Sequence, residues 1–238
     1  MSSSLSISTP ATPPVPGRAT QGSRRQLQDY VNRLPLCLNE AIGRALPQGA
    51  RETEHRIQWL SPLAGDDYRE YRDRNFLEQI GLVQASSGLK AFWPPLGPCW
   101  DGLGLLIRED GTTPEILLVE AKSELDEFEG TGCRAAGEDR AAILEAFGKT
   151  QQWLGAQPTP AWTGPLYRSA NRLAHLCFLR TRTAVGAWLV QVYFLNDPIG
   201  PSSRADWLPA IASSHARLGL RNRPPYTLEV FLPALNPR

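Results

Sequence analysis

The sequence predicts an α/β fold in which a mixed central β-sheet is flanked by helices. Three features point there. Residues 103–107 and 116–119 are apolar on both faces of what would be extended chain, as in a sheet covered on both sides rather than a solvated hairpin. Residues 139–155 (DRAAILEAFGKTQQWLG) place Ile143, Phe147 and Leu154 on one helical face, with Gly155 as the stop. Residues 186–197 (GAWLVQVYFLND) then give the strongest strand pattern of the chain.

The elements follow in order. Residues 1–23 are rich in Ser, Thr and Pro and are expected to be a disordered tail. Residues 24–238 suffice for a single domain. In 24–46 the residues Leu27, Val31, Leu34, Leu38, Ile42 and Ala45 recur at helical spacing, with a break at Pro35. The stretch 47–66 reads as irregular. A second helix is expected over 67–80, with Asp67 as N-cap, Glu70 three residues on and Gly81 closing it. GLKAFWP (88–94) reads as a short strand, and so do WDGLGLLI (100–107) and EILLVEAKS (115–123) across the turn REDGTTP (108–114). An acidic, Gly-containing loop (124–138) precedes the helix 139–155. A second helix over 169–181, capped by Ser169, precedes the strand 186–197. A short helix near 205–216 and a strand at 227–233 end the chain. The order is α-β-β-β-α-α-β with extensions, and the core spans about 68–195.

Charge narrows the function classes. The net charge of +1 is no global nucleic-acid signature, but its distribution is uneven. Residues 101–145 carry 12 acidic and 4 basic side chains, whereas 166–238 carry 9 arginines against 3 acids. Arginine supplies 22 of the 25 basic residues, and its planar fork matches phosphate. The scarcity of lysine makes Lys90, Lys122 and Lys149 the more informative. Cys37, Cys99, Cys133 and Cys177 are spaced too irregularly for a C-x-x-C site. They are expected to be free thiols, three of them buried, in a reducing cytoplasm. No apolar run approaches the roughly 18 residues of a membrane helix, and the N-terminus lacks the charged start and apolar stretch of a secretory signal. There is no G-x-S-x-G elbow, P-loop or G-x-G-x-x-G.

The residues that carry chemistry are Asp101 and the sequence Glu120-Ala121-Lys122. Along a strand, residues i and i+2 share a face, so Glu120 and Lys122 project together. A hairpin turning near residue 111 places Asp101 opposite residues 121–122, within a residue or two. Two carboxylates and an ammonium then converge at the ends of apolar strands, where charges need a purpose. Hard carboxylate oxygens suit Mg²⁺ (or Mn²⁺), with the Ala121 carbonyl as a further ligand. Lys122 is placed to orient a water or neutralise charge on a phosphate. The alternative is an edge-strand ion pair, with Asp101 a turn residue.

Asp101 in PCWDGLG, with Glu120 and Lys122 in ILLVEAKS, resembles the PD-(D/E)XK superfamily of restriction-endonuclease-like nucleases. The chain departs from that pattern in having Trp100 before the aspartate, with Pro98 nearby. ANRLAHLCFLR and AWLVQVYFLND are also similar to a group of bacterial proteins of that superfamily with unassigned substrates. The resemblance implies an α-β-β-β-α-β core and metal-dependent phosphodiester hydrolysis. It implies a further glutamate from the helix before the first strand, for which Glu78 is preferred, Glu70 is next and Glu40 an outsider. It also suggests polar contacts from the helix after E-x-K, where Lys149, Gln151 and Gln152 stand. Arg168, Arg172, Arg180 and Arg182 are expected to hold a nucleic-acid backbone, DNA rather than RNA. The near-neutral charge leaves room for a homodimer or a partner protein in holding substrate. A non-catalytic nucleic-acid-binding or assembly module on the same fold is the alternative.

Overall fold

The computed structural model describes residues 17–51, 53–198 and 200–235. Among them one five-stranded sheet runs in the order β1-β2-β3-β4-β5. The strands are β1 (His55–Ser61), β2 (Gly102–Arg108), β3 (Glu115–Lys122), β4 (Ala187–Leu195) and β5 (Thr227–Pro233). The first three form an antiparallel meander, and β4 and β5 continue it in parallel with β3. The sheet is therefore mixed and open, and helices flank it.

Strand alternation sorts the helices into two layers. Ile116 and Leu118 of β3, with Leu189 and Tyr193 of β4, face one core. There they meet Phe76 of α4 (Asp73–Gln79), Leu89 of α5 (Ser86–Phe92), Phe147 of α6 (Gly137–Leu154) and Leu173 of α7 (Tyr167–Arg182). The intervening Leu117, Val119, Ala121, Val190 and Val192 face the opposite core. They pack on Leu27 and Val31 of α1 (Gly22–Arg33) and on Leu38 and Ile42 of α2 (Pro35–Ala45). Both faces are covered, which is why these strands are continuous apolar runs. Leu27, Leu38 and Ile42 are fully buried, each contributing about 1.5–3 kcal/mol, so α1 and α2 belong to the body of the fold. Proline starts α2 because its missing N–H has no partner at that position. Gly155 ends α6 with φ +63°, as its place in the sequence predicts.

Several expectations need correction. The stretch read as irregular contains β1, an edge strand whose burial is partial. The expected strand 88–94 is helical: α5 covers Ser86–Phe92, and its buried Leu89 and Phe92 stand three residues apart on one helical face. The expected helix 67–80 shrinks to α4. Asp67 is no N-cap; it closes a 3-10 turn at φ +51°, and the chain through Glu70 and Tyr71 is extended enough for Tyr71 to bridge Trp100. Helix α7 begins at Tyr167, so Ser169 lies inside its first turn. Of the expected tail, residues 1–16 lie outside the described residues. Residues 17–23 are not a free tail: Gly17 donates to the Asp67 carbonyl at 2.8 Å, Arg18 pairs with Asp29, and α1 starts at Gly22. The remaining elements are the short α3 (Gln48–Arg51) and α8 (Arg204–Arg217). All four cysteines are free, but only Cys177 is buried; Cys37 is exposed and the other two are half-buried.

Candidate active site

The site lies at the end of the β2–β3 hairpin opposite its turn. Gly102 pairs with Val119, so Asp101 falls beside Glu120, a residue earlier than the expected register. The Ala121 N–H donates to Asp101 Oδ2 at 2.8 Å and fixes the aspartate against β3. In extended chain the N–H and C=O of one residue leave on the same edge, so the Ala121 carbonyl emerges on the Asp101 side. Glu120 and Lys122 leave β3 on the α7 face, with Lys122 Nζ 3.4 Å from Glu120 Oε1. Asp101, Glu120, Ala121 and Lys122 are thus brought together from two strands.

Two carboxyls in one enclosed site are held in different states. Glu120 is only 5% exposed. Burial alone drives its pKa up, but Arg172, Lys122 and Arg168 more than reverse this and hold it well below the ordinary carboxylate range. Asp101 lacks such a ring. Lost hydration pushes it well above the ordinary range, and the neighbouring Glu120 charge pushes it further, against the pull of Arg172. The pair therefore carries one firm negative charge and one carboxyl inclined to keep its proton. Because the folded pKa of Asp101 exceeds the unfolded one, its contribution is complete below the unfolded value and is lost as pH rises through the folded one. Glu120 has the opposite sign: its contribution exists above the unfolded value and is lost as pH falls through the folded one. Asp101→Asn should therefore melt higher than the native protein at alkaline pH without divalent metal, by several degrees, with the gap closing towards pH ~4. Thermal melts across that range test this; a gap independent of pH would refute it.

The structure brings Glu70, not Glu78, to this place. Trp100 N–H donates to the Tyr71 carbonyl at 3.0 Å, which sets the preceding Glu70 beside Cys99. Glu70 is buried; Cys99 Sγ lies 3.9 Å from its Oε2, and Arg24 of α1 ion-pairs with Oε1. Burial lifts the Glu70 pKa, Arg24 opposes this, and the Glu120 charge adds to the rise. Glu78 is on the exposed side of α4 with Arg74 at 2.7 Å, and Glu40 pairs with Arg44 on α2. The placement expected for Glu78 is not met, because α4 starts at Asp73 and leaves Glu70 in extended chain that reaches the hairpin.

The four arginines divide. Arg168 is half exposed, with Nη2 3.8 Å from Glu120 Oε1. Arg172, one turn on, is 7% exposed and turned inward. Its Nε donates to Glu120 Oε2 at 2.7 Å, Nη2 to the Cys99 carbonyl at 2.9 Å and Nη1 to Asn171 Oδ1 at 3.0 Å. Those commitments remove it from the expected set of nucleic-acid contacts. Arg180 and Arg182 stand about 18 Å or more along α7 from Arg168, and Arg180 covers the Tyr226 ring at 3.5 Å. Lys149 pairs with Glu145 on the exposed face of α6, and Gln151 is half-buried on the same helix. Among the described residues no hydrogen bond or ion pair ties these last four residues to the hairpin. His175, also on α7, is buried and neutral, its pKa lowered to about 3 by burial.

Gln191 is a site residue that the sequence reading passed over. It lies in register with Glu120 on one side and Glu229 on the other, and it accepts a hydrogen bond from the Tyr193 hydroxyl. With Glu120, Lys122, Arg168, Ser169, Arg172 and Leu189 it lines a narrow cleft. The available signal was a lone polar side chain inside the apolar run of β4.

Among the described residues no three His, Cys, Asp or Glu side chains are grouped to hold a metal ion. The donors at the hairpin end are two carboxylates and a backbone carbonyl. That set does not fit an all-protein cage. Two carboxylates and a carbonyl are the kind of partial oxygen set that Mg²⁺ or Mn²⁺ accepts, with waters or substrate phosphates as the remaining ligands. The chain matches no family model, no curated protein and no solved structure. None of the described helices is long and apolar enough to cross a membrane.

Proposed function

We propose that the chain is a metal-dependent nuclease of the PD-(D/E)XK type, built on a restriction-endonuclease-like core. The observation that carries this reading is the Asp101 Oδ2 to Ala121 N–H bond, which registers Asp101 against Glu120 and Lys122 at the buried end of an apolar hairpin. Three antiparallel strands followed by helices and a parallel β4 support it, although α4 and α5 stand between β1 and β2, where the α-β-β-β-α-β order that the resemblance implies has none. Asp101, Glu120 and the Ala121 carbonyl would hold Mg²⁺ or Mn²⁺, with Glu70, which follows β1 rather than preceding the first strand, as the further glutamate near them. The bound ion supplies Lewis acidity toward the scissile phosphate and a more acidic water. Lys122 orients the attacking water and offsets charge developing on the phosphoryl oxygens. Arg168, open to solvent beside the cleft, holds a neighbouring phosphate. The substrate is nucleic acid, DNA in preference to RNA, met in the cytoplasm. With a net charge of only +1, a second copy or a partner protein contributes to holding it.

One observation favours a second reading, a non-catalytic nucleic-acid-binding or assembly module. Glu120 already contacts Arg172, Lys122 and Arg168, and Lys122 Nζ also lies 3.4 Å from the Glu127 carbonyl, so the charges are satisfied among themselves. Incubating the native protein with mixed DNA and RNA separates the two. Cleavage with Mg²⁺ or Mn²⁺ that stops with EDTA is expected of the nuclease. Binding without cleavage in either metal points to the module.

A further inference from the structure

Arg172 joins all three segments of the site. Its Nε bonds Glu120 on β3, its Nη2 bonds the Cys99 carbonyl two residues before Asp101, and its own backbone belongs to α7. The guanidinium plane lies over the Trp100 ring at 5.5 Å, and the Trp100 N–H ties that residue to Tyr71, beside Glu70. The fork is therefore fixed on two sides and nearly closed to solvent. It also treats the two Glu120 oxygens unequally. Oε2 is committed to Arg172 at 2.7 Å. Oε1 faces only the looser contacts of Lys122 at 3.4 Å and Arg168 at 3.8 Å, and Arg168 is half exposed, so it can swing away.

We infer that Arg172 is a positioning residue that assigns the two Glu120 oxygens, pinning Oε2 and presenting Oε1 alone as the metal-facing donor, while holding the Cys99–Asp101 segment at a fixed spacing from β3. The inference rests on the metal-dependent reading above. It makes Glu120 a one-oxygen ligand and separates the two arginines of one helix face: Arg172 acts through Glu120, and Arg168 meets substrate.

A lysine at 172 keeps the charge but loses the fork, because an ammonium has no planar pair of donors to span Glu120 and the Cys99 carbonyl. A glutamine removes the charge. If Arg172 were only a counter-charge, Arg172→Lys would bind metal as the native protein does, and Arg172→Gln would bind it more tightly, since a repelling cation is gone. If Arg172 positions the carboxylate, both variants bind more weakly.

The test is Mn²⁺ binding to the full-length native protein, R172K, R172Q and R168Q, read by electron paramagnetic resonance of the free ion without nucleic acid. Thermal melts accompany it, and cleavage kinetics where the native protein cleaves. R172K is expected to stay folded and bind Mn²⁺ about tenfold more weakly (~1.4 kcal/mol), with R168Q unchanged. In cleavage, R172K lowers kcat at constant KM, whereas R168Q raises KM. Native-like Mn²⁺ binding by folded R172K overturns the inference while leaving the nuclease reading intact. A native protein that binds no Mn²⁺ overturns both. Mn²⁺ binding without cleavage removes the nuclease reading, and the R172K comparison still decides the role of Arg172.

Discussion

If the proposed nuclease reading holds, Lys122→Ala and Glu120→Gln should each lower metal-dependent cleavage by about 10²–10⁴-fold, with both proteins still folded. The two losses have different causes. Glu120→Gln removes the firm negative charge of the pair and one oxygen anion of the donor set, leaving a neutral amide between Arg172 and Lys122. Lys122→Ala leaves the carboxylates in place and removes the cation 3.4 Å from Glu120 Oε1. Raising the metal concentration is therefore expected to recover part of the Glu120→Gln loss and none of the Lys122→Ala loss. Cleavage assays over a range of Mn²⁺ concentrations read this. Native-level cleavage by Lys122→Ala would remove that residue from the mechanism.

The largest expected effect on stability is at Arg172. Arg172→Leu leaves Glu120 buried with its nearest cation gone, and removing one partner of a buried pair costs about 3–5 kcal/mol. The native protein avoids that cost because the pair has a 2.7 Å contact and two further hydrogen bonds from the same guanidinium. Arg168→Leu, only one turn away but half exposed, should cost no more than about 1 kcal/mol. Urea unfolding of the two variants at neutral pH makes the comparison. Equal losses would mean that the burial of Arg172 does not distinguish it from its neighbour.

The parts of this fold that could be read from sequence are those whose burial leaves a periodic trace. β2, β3, β4 and β5 appear within a residue or two of their expected bounds because each carries a buried apolar row. α6 was legible from its apolar face and its terminal glycine. β1 was not, since an edge strand with partial burial alternates too weakly to stand out from loop. Residues 88–94 read as a strand, and aromatic residues such as Phe92 and Trp93 suit extended chain locally, whereas the packing of Leu89 and Phe92 against the core decides for helix. At the site, Asp101, Glu120 and Lys122 were legible because strand period and turn position fix their convergence. The position of Glu70 near the hairpin was not legible for a tertiary reason: the Tyr71–Trp100 bridge that delivers it links segments nearly 30 residues apart. The inward turn of Arg172 was likewise invisible, since nothing in the spacing of Arg168 and Arg172 says which one faces the hairpin.

The most direct test of the central claim is anomalous scattering from crystals of the full-length protein grown with Mn²⁺. The nuclease reading predicts a peak within about 2.5 Å of Asp101, of Glu120 Oε1 and of the Ala121 carbonyl, with Glu120 Oε2 still on Arg172. A hairpin end without that peak at saturating Mn²⁺, with Glu120 held between Arg172 and Lys122 as it is here, would contradict it and leave a structural ion network in its place.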